Sequence, residues 1–468
     1  MGSMQRTSAS RLLQNWVVRL CWLAVCWLAA TPIEAAEGLW KAGVARCNIT
    51  PTEALWLAGY GNRDKPAEGK AMDLWLKVLA LEDEQGQRGV IVTTDTLGIP
   101  QSIYRHSCEK LKATFGLEAS QIVLSASHTH CGPVLRGALY DAYPLDEHQR
   151  LLIEKYSEEF ESKIVEAIGK ALTDLAPARL SAGQGTSGFA VNRRNNPEAK
   201  VPKLIEQGTL KGPVDHSVPV LAVFQPDGRL KAFLFGYACH NTVMGFYQWC
   251  GDYAGFAQLA LEKSHPGATA MFFMGCGGDQ NPLPRRKLEF AERYGQMLAA
   301  AVEEVLISPP RSLPPRLKTS LETITLNFGP VPTEAELEQM KSGTNATARR
   351  WATRWLADLK ADKPLARSYP YPIQSWRLGG SQLLLALGGE PVVDYALKFK
   401  REFGPDTWVA GYCNDVMGYI PSLRVLKEGG YEGGGSMLPY GQPALRWADD
   451  VEDVITAAAK RLVEKKIN

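Results

Sequence analysis

Four short apolar runs in this chain end alike, and that repeated ending most constrains its fold. Gln121–Ala126 leads through Ser127 to His128 and His130. Ala232–Tyr237 leads through Ala238 and Cys239 to His240. Ala268–Met274 opens onto Gly275-Cys276-Gly277-Gly278-Asp279, and Gln382–Gly388 onto Gly389 and Glu390. Runs of this length and composition read as buried strands. Strand ends in an α/β sheet are where ligands bind, so the pattern suits one metal centre at one sheet edge. Further strands are expected at Leu74–Leu81, Gly89–Thr94 and Val218–Phe224. Helical spacing covers Ser102–Phe115, Asp146–Leu175 and Phe290–Leu306, with a polar helical segment at Thr333–Ala361. This alternation predicts an α/β fold with a mixed central sheet flanked by helices. No internal repeat is present. Ser308-Pro309-Pro310-Arg311-Ser312-Leu313-Pro314-Pro315 separates two domains or crosses the surface of one.

Lys plus Arg is 52 against 50 Asp plus Glu, a net charge of +2. Three of the arginines and one glutamate fall in residues 1–36, leaving 49 of each sign from residue 37 onward. Such a balance supplies no bulk attraction to nucleic acid or to an anionic membrane, which leaves only a local basic patch for such a role. At 45% hydrophobic and 22% charged, the composition is that of a globular protein.

Residues 1–36 read as a secretory signal. Arg11 and Arg19 precede the apolar run Leu20–Ala30, and the small residues Ala35 and Ala36 follow. Met1-Gly2-Ser3 before Met4 reads as a cloning remnant. The apolar run is shorter than the roughly 20 residues that span a bilayer, and no later segment is long and apolar enough. An uncleaved anchor is the alternative. The expectation is an exported protein, periplasmic or secreted, with one domain over 37–468. Of nine cysteines, seven remain after Cys21 and Cys26. An odd number leaves at least one thiol unpaired within the chain, and Cys239 and Cys250 are the candidate bridge.

Each candidate residue has a bland reading beside the chemical one. His128 and His130, two apart on an extended chain, share a face. They are metal ligands or satisfied polar residues at a strand end. His240 is a ligand or a hydrogen-bonded core histidine. Asp279 is a functional carboxylate or a turn residue. Glu390 is a ligand or an acid near a helix start. Trp351, Trp355, Trp376 and Trp408 line a lipid cleft, form a sugar platform or fill the core.

Taken in order, the motifs resemble the neutral, non-lysosomal ceramidase family. They are Gly43–Pro51, Gly59-Tyr60-Gly61, Ser127–Pro133, Val191-Asn192-Arg193-Arg194, Cys239-His240-Asn241-Thr242, Gly278-Asp279, Gly389-Glu390-Pro391, Asn414 with Tyr419, and Tyr431-Glu432-Gly433. The resemblance implies zinc and cleavage of the amide of an N-acyl sphingosine. It implies His128, His240, Glu390 and Tyr419 as metal ligands, with His130 a companion near the reacting carbonyl. Tyr431 would polarise that carbonyl, and Arg194 would contact substrate. Two departures stand out. The family's Gly-Asp-x-Ser-Pro-Asn reads Gly278-Asp279-Gln280-Asn281-Pro282-Leu283 here, so Gln280 or Asn281 replaces the serine as a hydrogen-bond donor beside Asp279. The chain also stops soon after the tyrosine motif, so the family's immunoglobulin-like C-terminal domain is expected to be missing. The expected activity is a zinc hydrolase using a metal-activated water on an acylated small molecule, a sphingolipid or an acylated sugar. The alternatives are a carbohydrate deacylase and a zinc-stabilised binding protein.

Overall fold

Eight strands between Trp40 and Met274 form the main sheet of the computed structural model, which describes Gly38–Lys465. They are β1 (Trp40–Asn48), β2 (Trp75–Glu82), β3 (Arg88–Thr94), β4 (Ile122–Ala126), β5 (Ala176–Thr186), β6 (Ser217–Phe224), β7 (Leu230–Tyr237) and β8 (Thr269–Met274). They form one mixed sheet in the order β8-β7-β6-β5-β1-β2-β3-β4. The pairs at each edge, β3 with β4 and β7 with β8, are parallel, and the pairs between them are antiparallel. The buried runs of β3, β4, β7 and β8 are apolar on both faces, as a covered sheet requires. The signal-peptide expectation lies outside the described residues.

The proline-rich segment is no linker. Arg311–Leu313 becomes β9 and pairs antiparallel with Leu180–Ala182 of β5. Beyond it, β10 (Leu317–Asn327), β11 (Ser368–Leu378), β12 (Gln382–Leu387) and β13 (Trp408–Ala410) build a second sheet in that order. One core cluster joins Trp40, Leu79, Leu221 and Met271 from the large sheet to Trp376, Leu384 and Trp408 from the small one. The described residues from Leu39 onward accordingly form a single compact unit. Of the four candidate cleft tryptophans, Trp351, Trp376 and Trp408 are buried core.

Helix α1 (Gln101–Phe115) and α2 (Glu147–Thr173) follow the β3–β4 edge, and α3 (Asp252–Ser264) and α4 (Leu288–Ile307) the β7–β8 edge. The closeness of α2 to β1 explains Gly43: a Cβ there would sit 1.9 Å from the Ala171 carbonyl oxygen. The polar segment splits at Ser342–Asn345 into Glu334–Lys341 and α5 (Ala346–Lys360), because the Asn345 side chain accepts from the Ala348 amide and starts a new helix. Helices α6 (Val393–Phe403) and α7 (Val451–Glu464) complete the fold. No helix among the described residues is long and apolar enough to cross a membrane. The seven described cysteines are all free, so Cys239 and Cys250 are not bridged. The Cys250 sulfur instead accepts from the Asp252 amide at 3.3 Å.

The site lies where strand ends converge. Gly275, just after β8, bridges Ala410 at the end of β13, and Ser125, near the end of β4, bridges Cys413 just beyond β13. The carboxyl ends of β4, β7, β8 and β12 therefore meet.

Candidate active site

His128 stands just past β4 with φ at +59°, a left-handed backbone that residues with side chains rarely adopt outside functional sites. Its Nδ1 donates to the Leu97 carbonyl at 2.6 Å. His240 follows β7, and its Nδ1 donates to the Gly277 carbonyl at 2.7 Å. A carbonyl only accepts, so each ring keeps its proton on Nδ1 and turns the Nε2 lone pair inward. That is the way a protein orients histidine for a metal. The two Nε2 atoms lie 3.1 and 3.2 Å from the same Glu390 carboxylate oxygen. The Tyr419 hydroxyl is 2.9 Å from His240 Nε2. His130 Nε2 is 3.2 Å from His128 Nε2.

Electrostatics favour a cation at this point. The His240 pKa is pushed down to about 4, first by burial and then by the Arg193 charge, with Glu390 opposing. His130 is driven well below its ordinary value by burial and by its histidine neighbours. Burial alone would raise Glu390, yet His128 and His240 hold it well below the carboxylate range. Protonated, the two rings would hold Glu390 as donors. Neutral, with each Nδ1–H on a backbone carbonyl, they turn an Nε2 lone pair to the carboxylate, acceptor against acceptor, and a bound cation takes the place of those protons. His128, His130 and His240 form a cluster whose ligand atoms all lie within 4.8 Å of one another and could hold a metal ion. His130 differs in one respect: its Nδ1 is buried without a partner, so no carbonyl locks its tautomer.

The carboxylate is itself held. Glu390 follows the turn Gly388-Gly389, and its backbone pairs with Tyr419. Tyr440 donates its hydroxyl to Glu390 Oε1, and Tyr412 reaches Oε2 at 3.3 Å. The Tyr412 ring lies 4.4 Å from His128 and its backbone is also left-handed. His130 is placed by a glycine. Gly59 has φ at +105°, and a Cβ there would come within 2.4 Å of the His130 ring. Arg63 donates to the His130 carbonyl at 2.7 Å.

These groups open onto a cavity of about 300 Å³, walled by His128, His130, Glu390, Tyr419, Tyr431 and Tyr440 on the polar side. Tyr431 is half-exposed, and its phenol is pushed up to about 12, by lost solvation first and then by the Glu390 charge. It therefore stays an O–H donor at neutral pH.

Other sequence expectations land elsewhere. Arg194 is spent on Glu432, at 2.5 Å, and on Glu428 and the Gly429 carbonyl. Its neighbour Arg193 points to the site instead, donating to the Tyr419 oxygen at 3.1 Å and to Glu432 at 2.7 Å. Asp279 accepts from the Val393 amide at 2.8 Å and from Asn192 at 3.0 Å, and so secures the start of α6. The Gln280 amide donates to the Ala238 carbonyl and accepts from the Asp215 amide. Asn281 accepts from Arg193 at 3.3 Å. None of the three lines the cavity, because Gln280–Pro282 pairs with Ala190–Asn192 and is buried. Tyr440, Tyr412 and Arg193 are site residues that sequence reasoning did not single out. Tyr419, Tyr431 and Tyr440 falling within 22 positions was the available signal for Tyr440.

The model of the neutral/alkaline non-lysosomal ceramidase N-terminal region matches residues 40–282. The chain belongs to this family. The neutral ceramidase of Pseudomonas aeruginosa is 25% identical over 88% of this chain and 71% of its own length. Neutral ceramidase B of Dictyostelium discoideum is 28% identical over 54% of this chain and 37% of its own. The crystal structure of the P. aeruginosa neutral ceramidase has the same fold: TM-score 0.68, 21% identity, covering 91% of this chain and 75% of that one. The protein is a ceramidase-like hydrolase, and its mixed α/β architecture is the family's.

Proposed function

We propose that this protein is an exported zinc-dependent amidohydrolase that cleaves the N-acyl bond of a ceramide-type substrate. The observation that carries the reading is the convergence of His128 Nε2, His240 Nε2, Glu390 Oε2 and the Tyr419 hydroxyl, with both Nδ1 atoms fixed by backbone carbonyls. Two imidazoles, a carboxylate and a phenol are a donor set suited to zinc. When bound, zinc supplies a water of lowered pKa and a Lewis acid for the carbonyl. The chain's own residues do the rest. Neutral His130, on the cavity wall, takes a proton from water and delivers it to the leaving nitrogen. Tyr431 donates its O–H to the carbonyl oxygen as charge builds there. Arg193 holds the Tyr419 oxygen from behind. In balance, a water oxygen bonds to the carbonyl carbon, the carbon–nitrogen bond breaks, and a water proton ends on the amine. No serine is needed, in keeping with a motif that reads Gln280-Asn281. Export rests on the leader-like residues 1–36.

The test is metal removal and return. The zinc-loaded protein is expected to release sphingosine from an N-acyl sphingosine, to stop when a chelator removes the metal, and to recover on zinc addition. A protein that binds zinc tightly, melts lower without it and releases nothing would be a binding protein instead.

A further inference from the structure

The cavity at the histidine cluster is small, and the apolar part of its lining is tied to a helix. About 300 Å³ is the bottom of the range for drug-sized ligands, roughly 300–1,000 Å³. A sphingolipid with two long alkyl chains is larger than a drug-sized ligand. The cavity's apolar lining comes mainly from two segments, Leu139 with Ala142 and Leu438 with Pro439. Helix α5 spans both segments. Arg350 donates to the carbonyls of Asp141 and Ala142 at 2.9 and 2.8 Å. Arg354 donates to the Asp141 carboxylate and, at 2.9 Å, to the Gly441 carbonyl. The Trp351 indole donates to the Gln442 carbonyl at 2.7 Å. Asn345 and Thr347, at the start of the helix, line the cavity itself.

The clamp is also packed from behind. Trp351, Ala352 and Leu356 form a buried cluster with Leu337 and Leu365, and Leu438 leans on it. A long alkyl chain could extend past this lining only by breaking the hydrogen bonds that tie α5 to both segments and opening that cluster. Each step costs free energy that a short acyl group does not incur.

We infer that the helix pair Glu334–Lys360 is a chain-length stop, and that the N-acyl amine hydrolysed here carries an acyl group of a few carbons, an inference resting on the amide-hydrolase reading above. A short acyl group sits against Leu139, Ala142 and Leu438, with its carbonyl turned to Tyr431 and His130.

The experiment uses the zinc-loaded protein and one acyl series (acetyl, butanoyl, octanoyl, palmitoyl) on two amines, sphingosine and 2-aminopropane-1,3-diol. Released acid is followed by mass spectrometry. The expected result is a kcat/KM for acetyl above that for palmitoyl by roughly 100-fold on either amine. The double substitution R350A/R354A is expected to narrow that ratio by about tenfold, and Leu438→Ala, which keeps the clamp, to shift the preferred length upward. Palmitoyl sphingosine turned over as well as acetyl sphingosine would overturn the inference while leaving the hydrolase reading intact. An unchanged ratio in both variants would also overturn it. No acid from any member, with zinc bound, would remove the hydrolase reading and the inference together.

Discussion

Two regions build this site by different means. On one side His128 and His240 follow strands of the large sheet, and each ring is fixed by a backbone carbonyl. On the other, Tyr419, Tyr431 and Tyr440 come from a stretch with little regular structure after β13, held by side-chain contacts to Arg193 and Glu390. The first region makes a rigid point for a cation, because moving a ligand there means moving a strand. The second shapes the space around that point with phenols that can be altered singly. Chemistry placed on strand ends and selectivity placed on loops is a division that rigid scaffolds favour.

If that division holds, substitutions in the two regions fail differently. The largest effect is expected from His240→Ala: metal content lost and hydrolysis reduced to background, measured by metal analysis beside turnover. Retention of both would remove His240 from the metal centre. Tyr431→Phe tests the other side. It deletes one O–H at the cavity and leaves the cation point alone, so kcat should fall about 10²–10³-fold while zinc affinity stays constant. A parallel loss of zinc would mean that the regions are not separable.

The same contrast governs what could be seen in the sequence. His128, His240 and Glu390 were legible because strands have period two and end visibly, and the ligand types follow the apolar runs directly. The strands β3, β4, β7 and β8 were found within two residues for the same reason. β5 was not, because Ala176–Thr186 carries Ala, Gly, Ser and Gln where an apolar run is looked for, and its burial is supplied by partners on both sides. β10 and β11 were missed likewise, their pattern being set by each other. Arg193 was invisible as a site residue, since only the folded loop shows which of two adjacent arginines faces inward, and Tyr440 was signalled only by its nearness to Tyr419 and Tyr431. The free Cys239 and Cys250 show that a plausible spacing does not make a bridge.

Tyr440→Phe probes the joint between the regions. Tyr440 reaches the Glu390 oxygen away from the histidines, so under the proposed assignment its hydroxyl orients a ligand without being one. Loss of such a partner commonly weakens metal affinity about 10–100-fold. Competition with a chromophoric chelator should show that loss, and excess zinc should restore most of the turnover. Unchanged affinity would make Tyr440 a cavity wall only.

Asp415 gives the smallest effect and isolates how the tyrosine-bearing stretch is anchored. Its carboxylate is fully buried and accepts from Tyr369 at 2.8 Å and Gln101 at 3.1 Å, while its carbonyl accepts from the Gly389 amide beside Glu390. Burial pushes its pKa up to about 7, with those two hydrogen bonds opposing. A carboxyl whose folded pKa lies above its unfolded value is bound more tightly by a proton in the folded state. Stability is therefore lost as pH rises from about 4 to about 7, and the full cost applies above that. Asp279 and Asp252, both raised to about 6 by burial, act in the same direction, so the wild-type slope alone is not diagnostic. The difference from Asp415→Asn is. Its melting temperature should match the wild type near pH 4 and exceed it by about 4 °C at pH 8. Equal curves across the range would mean that Asp415 is charged at little cost, and that this anchor does not resist ionisation as its burial implies.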